Sequence, residues 1–148
     1  MRVRTAAPLA VAVILSGAAV DAGAAPKPKP ITKTYDVTGI PHPNPPTGPS
    51  CSASPAGVSE TRETIKVAGP GKLVVEVTKF TGDWDIGLYG GSGETLLAQG
   101  GGADAGNTET APKETLTYKS KKAQTLFLDV CNFAGTPNAT VKYVYTYS

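Results

Sequence analysis

From residue 59 to the end of the chain, apolar and polar residues alternate in short runs, each bounded by Gly, Pro, Asn or Asp. A period of two sends successive side chains to opposite faces of a strand, and no window carries a capped helical period. Within 72–78, Leu73, Val75 and Val77 share one face while Val74, Glu76 and Thr78 share the other. Within 82–89 the same period turns Trp84, Ile86 and Leu88 inward and Asp83, Asp85 and Tyr89 outward. Residues 124–131 put Leu126, Leu128 and Val130 on one side, and 138–148 align Val141, Tyr143, Tyr145 and Tyr147. Adding 59–67, 95–99, 114–119 and a short strand over 31–37 predicts about seven or eight strands. Regular short strands with Gly-rich turns predict an all-β fold, an antiparallel β-sandwich of jelly-roll type.

The N-terminal part breaks this pattern. Arg2 and Arg4 precede an apolar run over 6–20, followed by the small residues Ala22 to Ala25. That order is that of a secretory signal, with Ala22 and Ala24 placing the cut after Ala24. The run is short of the ~20 residues needed to span a bilayer. The chain divides accordingly into a signal over 1–24, a Pro-rich arm and loop over 25–57 and a sandwich core over 58–148. Nine of the 13 prolines fall between Pro26 and Pro55. Proline fixes φ and removes an amide donor, so 25–30 reads as a polyproline II spacer and 39–57 as a long loop. The spacer suits a stiff arm through a cell wall or a docking peptide, and equally a plain leader. The expected location is outside the cell, secreted and released or held in the cell wall.

Charge narrows the partners. The chain has 14 Lys+Arg and 12 Asp+Glu, and dropping Arg2, Arg4 and Asp21 leaves 12 and 11. With no basic run longer than Lys121-Lys122, no nucleic-acid footprint is legible. Both cysteines, Cys51 and Cys131, lie in the exported part, where oxidation to one disulfide is expected. The alternative, a thiolate metal site, lacks C-x-x-C spacing and has a single histidine to draw on.

At 82–89 the octet Gly-Asp-Trp-Asp-Ile-Gly-Leu-Tyr resembles the hallmark strand, G-D-x-D-hydrophobic-x-L, of the bacterial pre-peptidase C-terminal domain. Residues 66–80 are similar to that family's paired strands around a Pro-Gly turn. Thr125 to Val130, Gly135 and Tyr143 are similar to its closing strand, turn and Tyr-bearing strand. About 90 residues are involved, from Ser59 onward. The resemblance implies a non-catalytic β-sandwich module of the kind attached to secreted peptidases, related to domains of clostridial collagenases that bind collagen with calcium support. Two features depart from that pattern: no enzyme domain accompanies the module in this sequence, and the Cys51 and Cys131 pair is not expected of the family.

Asp83 and Asp85 flank Trp84, so both carboxylates leave one face of a strand roughly 7 Å apart. Calcium would relieve their repulsion, with Asp104, Asn107 and Glu109 of the 100–109 loop as further oxygen donors. The alternative is a turn cap on one carboxylate and amide or Lys contacts on the other. Read as glycosidase acid and base, the pair has a permitted separation but points one way rather than across a cleft. His42, between Pro41 and Pro43, is the sole histidine, and no G-x-S-x-G turn accompanies it. Gly90-Gly91-Ser92-Gly93 and Gly100-Gly101-Gly102 read as hairpin turns, since neither opens a helix. The stripe Tyr143, Tyr145, Tyr147 reads as core because Val141 continues its face.

The function expected is that of a secreted single module rather than an enzyme: a monomer that binds an extracellular polymer or secreted protein, or assists a secreted enzyme. One sheet face would carry Asp83, Asp85, Tyr89, Tyr118 and Phe127. The alternative is a structural or inhibitory envelope protein acting through its Pro-rich arm, and a hydrolase built around His42 is the third reading.

Overall fold

The computed structural model describes residues 28–42, 51, 60–100 and 112–148. Eight strands run β1 Ile31–Thr38, β2 Glu60–Val67, β3 Gly71–Thr78, β4 Gly82–Gly90, β5 Thr95–Gly100, β6 Glu114–Ser120, β7 Gln124–Gly135 and β8 Asn138–Tyr147. They form two four-stranded sheets: sheet A in the order β1-β8-β3-β6 and sheet B in the order β2-β7-β4-β5. All six ladders are antiparallel.

The order has a simple rule. The first strand pairs with the eighth, the second with the seventh, the third with the sixth and the fourth with the fifth. The chain is therefore one long hairpin, folded so that alternate rungs fall in opposite sheets, which is the jelly-roll arrangement expected from the strand pattern. Only the β4–β5 turn stays within a sheet. It is closed by the Gly93 amide donating to the Gly90 carbonyl at 3.0 Å.

The expected alternation is realised in the core. Leu73, Val75, Val77, Val141, Tyr143 and Tyr145 from sheet A meet Trp84, Ile86, Leu88, Leu126, Leu128 and Val130 from sheet B, all buried. The tyrosine stripe is thus core, with Tyr147 partly buried at its end. Two expectations are adjusted. The strand expected over 31–37 is a full edge strand, all eight residues in register with β8, so the sandwich takes in the chain from Ile31 rather than from 58. Strand β7 runs four residues beyond Cys131, because a bulge lets Asp83 face Ala134 and Trp84 face Asn132. The bulge ends at Gly82 and Gly135, which face each other with φ of 91° and 99°. A Cβ on either would run into the other strand's backbone, which explains the glycine at the head of the G-D-x-D octet. The signal segment and its expected cut after Ala24 lie outside the described residues.

The buried tyrosines also hold a turn. Tyr145 donates its hydroxyl to the Gly69 carbonyl at 2.7 Å, and Tyr147 accepts from the Ala68 amide at 3.2 Å. The turn that carries the chain from sheet B to sheet A is thereby tied to β8. Tyr145→Phe should cost about 1–2 kcal/mol in urea unfolding, because a part-buried hydrogen bond from a fully buried side chain is lost. Tyr147→Phe, whose bond is exposed, should cost less than about 1 kcal/mol in the same measurement.

Candidate functional site

The outer face of sheet B carries most of the residues expected to bind. Register fixes three rows across β2, β7 and β4: Glu60, Cys131 and Asp85; then Arg62, Asp129 and Gly87; then Thr64, Phe127 and Tyr89. Asp83 extends the β4 column. Asp83, Asp85, Tyr89 and Phe127 therefore share one face, as expected. Tyr118 does not. It lies on β6 in sheet A, packed against the main core, with its hydroxyl accepting from Gln124 Nε2 at 3.2 Å.

This outer face is covered rather than open. Tyr89 is 2% exposed and Asp129 fully buried. Cys51, Cys131 and Phe133 form a second small apolar cluster outside the main core. The expected disulfide joins Cys51 to Cys131 with 5.6 Å between the Cα atoms, and both residues are fully buried. Tyr89, expected to be an outward contact, points outward but lies flat on Gly87, where a Cβ would come within 2.7 Å of its ring. Its hydroxyl is buried with no hydrogen-bond partner among the described residues.

Arg62 organises the polar part. Its Nε and one terminal nitrogen donate to the two oxygens of Asp129 at 2.7 and 2.6 Å, a bidentate pair. The guanidinium carbon sits 5.7 Å from the ring centres of both Tyr89 and Phe127. A planar cation clamped between two rings and a buried carboxylate has little freedom left. Glu60 lies beside this pair, 3.7 Å from Arg62. Burial, a hydrogen bond with Asp129 and the Asp129 charge together push the Glu60 carboxyl up to about 7, against the opposing pull of Arg62. Burial, and after it the Asp83 charge, raise Asp85 to about 6.

Sequence reasoning missed Glu60, Arg62 and Asp129. Their pairing is a matter of register between strands more than 60 residues apart, which spacing along the chain does not reveal. A signal was present in 126–131, where Phe127 and Cys131 on one face accompany Leu126, Leu128 and Val130 on the other, the mark of a strand covered on both sides.

Calcium would need about six to eight oxygens. Among the described residues no three His, Cys, Asp or Glu side chains converge to hold a metal ion, so Asp83 and Asp85 would be part of a shell only. Asp104, Asn107 and Glu109 lie outside the described residues. His42 is half-buried, and its amide donates to the Asn132 carbonyl at 3.1 Å, placing it at the β7 bulge.

The outer face of sheet A differs in kind. None of its three ladders has a register shift. Its rows read Asp36, Thr140, Thr78; Thr34, Lys142, Glu76, Thr115; Thr32, Val144, Val74, Thr117; and Thr146, Lys72, Lys119. Eight threonines, counting Thr38, occupy this exposed or half-exposed surface. No family model and no curated protein matches the chain.

Two outcomes follow for the covered face. Opening the disulfide with reductant, or replacing both cysteines by Ser, should lower stability by about 2–5 kcal/mol in urea unfolding, since the bond closes a long loop and covers Phe133. Stability should also fall with rising pH. Glu60 and Asp85 bind protons more tightly in the folded state than in the unfolded one, so their contribution is complete near pH 4 and lost as pH rises toward 7. The melting temperature should drop by roughly 3–6 °C between pH 5 and pH 8, and Glu60→Gln should flatten most of that slope.

Proposed function

We propose that this protein is a secreted, non-catalytic β-sandwich module that binds an extracellular polymer or protein through the outer face of sheet A. The observation that carries the reading is the contrast between the two outer faces. One is covered by a disulfide, an ion pair on the buried Asp129 and Tyr89; the other is regular, exposed or half-exposed, and lined with threonines around Val74 and Val144. Adjacent strands lie about 4.8 Å apart and same-face residues about 6.7 Å apart along a strand, so the rows form a regular grid. Threonine offers a methyl and a hydroxyl at each point of that grid, suited to an extended chain bearing both apolar and hydrogen-bonding edges.

The resemblance of 82–89 to a family of modules attached to secreted enzymes agrees with a binding or accessory role. Under that resemblance the contact would instead involve Asp83 and Asp85, with calcium. The half-buried position of both carboxylates and the raised proton affinity of Asp85 favour keeping this as the second reading.

A pull-down on collagen, cellulose, chitin and peptidoglycan, each with calcium and with chelator, tests both. Retention on one polymer that falls at least tenfold in Val144→Glu, with an unchanged melting temperature, supports the sheet A face. Retention that vanishes with chelator and in the Asp83→Asn, Asp85→Asn double variant transfers the function to β4. Absence of retention on every polymer overturns the polymer reading and leaves a protein partner.

A further inference from the structure

Three chain segments that are far apart in sequence meet at one end of the sandwich. The turn between β2 and β3 lies there, because Gly71 faces Ser120 on one side and Tyr147 on the other. The turn between β6 and β7 lies there too, and β8 ends beside them, with the Ser148 amide donating to the Pro70 carbonyl at 3.1 Å. Residues 66–75, 115–128 and 143–148 contain five lysines, Lys66, Lys72, Lys119, Lys121 and Lys122, and no aspartate or glutamate. Sequence inspection sees only the Lys121-Lys122 pair; the fold assembles the rest.

Elsewhere three lysines have carboxylate neighbours. Lys33 pairs with Glu63 at 2.8 Å, Lys113 pairs with Glu76, and Lys142 lies opposite Glu76 in the ladder. Lys72, Lys119, Lys121 and Lys122 have no ion pair among the described residues. Lys72 and Lys119 are moreover directly opposite each other across the β3–β6 ladder, both exposed on the outer face of sheet A. Like charges in directly opposed positions destabilise a sheet. The fold keeps this repulsion without a neutralising side chain. The β4–β5 turn closes the same end and carries one acid, Glu94, on the sheet B side, where Gly93 lies against Arg62 and Phe127.

Beside these cations lies a shallow depression of about 450 Å³ lined by Tyr118, Lys119, Lys121, Lys122 and Gln124. Its floor is fixed by a chain of hydrogen bonds. Gln124 Nε2 donates to the Tyr118 hydroxyl at 3.2 Å and to Ser120 Oγ at 2.7 Å, and Ser120 Oγ donates to the Lys122 carbonyl at 2.7 Å. The lysine turn is therefore held in place by the groups that line the depression, which lowers the ordering cost of binding there.

We propose that the end of sheet A formed by Lys72, Lys119, Lys121 and Lys122, with the depression that the last three line together with Tyr118 and Gln124, is a binding site for an anionic polysaccharide. The proposal rests on the binding-module reading and names its ligand class: the acidic chain would run off the threonine rows onto the lysine end. A sugar ring fits a shallow depression with one phenol edge, an amide and flanking ammonium groups. Nucleic acid is less well served, since its bases call for a stacking platform, and Tyr118 packs against the core.

Affinity electrophoresis of the purified protein through gels containing polygalacturonate, dextran or neither tests this, at 50 mM and 200 mM salt. Retardation by polygalacturonate alone, weaker at the higher salt, is expected. A variant with Lys72, Lys119, Lys121 and Lys122 all replaced by Gln should lose at least tenfold in affinity, while Lys79→Gln, outside the cluster, should match the parent. Lys72→Gln should melt at or above the parent's temperature while binding polygalacturonate more weakly, a combination that a purely structural lysine does not produce. No retardation of the parent, or an unchanged quadruple variant, overturns the proposal. Tighter binding to single-stranded DNA than to polygalacturonate overturns the polysaccharide assignment. Failure here alongside retention on a neutral polymer in the pull-down leaves the module reading standing; failure in both overturns the polymer reading and leaves a protein partner.

Discussion

Strand β7 is apolar or buried on both faces, and the rest of the molecule is arranged around that fact. Leu126, Leu128 and Val130 point into the main core, while Asp129, Cys131 and Phe133 on the opposite side are just as buried. A sandwich strand with one wet face would leave Asp129 hydrated. Here Asp129 is fully enclosed, and a buried carboxylate is tolerated only with a well-formed partner. Arg62 supplies it from the adjacent strand, in the register that also brings Glu60 against Cys131. The cover over the next row is covalent: Cys51, brought in by the loop between β1 and β2, closes over the strand through the disulfide.

This division sets the character of both sheets. Sheet B holds the irregular features: the bulge at Asp83 and Trp84, a second at Leu88 and Tyr89, and the short β5. Bulges bend a strand and increase its twist, which suits a sheet that must close around its own outer cluster. Sheet A has none, and its edge strand β1 pairs over its whole length. The nested pairing places the terminal strands β1 and β8 together in sheet A. The regular sheet is thus held by contacts between the two ends of the chain, a long-range closure that the disulfide of sheet B assists by shortening the loop between β1 and the remaining strands.

How legible this was follows from what alternation can encode. Period two gave the strands from residue 59 onward and the inward set of Trp84, Ile86 and Leu88, because burial of one face is a local property of sequence. It also placed Asp83, Asp85 and Tyr89 outward, which is correct as a direction. Outward meant solvent-facing only by assumption, and Tyr89 is the counterexample: Gly87 leaves room beneath its ring and Arg62 covers it. Tyr118 was grouped with that face for its type alone, since nothing local says which sheet an edge strand joins. The Arg62–Asp129 pair and the threonine rows were invisible for the same reason. Thr32 and Thr117 become neighbours of one row only once β1, β8, β3 and β6 are set side by side.

The sealed face also bears on the charge seen from outside. A chain with nearly balanced charge would show a mixed surface if its acids and bases were scattered alike. Here three acids, Glu60, Asp85 and Asp129, are drawn into the covered side of sheet B, and the charge of two of them is reduced there. Arg62 neutralises Asp129, and Glu60 holds its proton up to about pH 7. Glu63 and Glu76 are taken up by Lys33 and Lys113. What remains without a partner among the described residues is weighted toward lysine, and the nested hairpin gathers four of those lysines at one end of the open sheet. The basic end is therefore a consequence of the same arrangement that closes the other face, because the acids that might have balanced it are committed elsewhere.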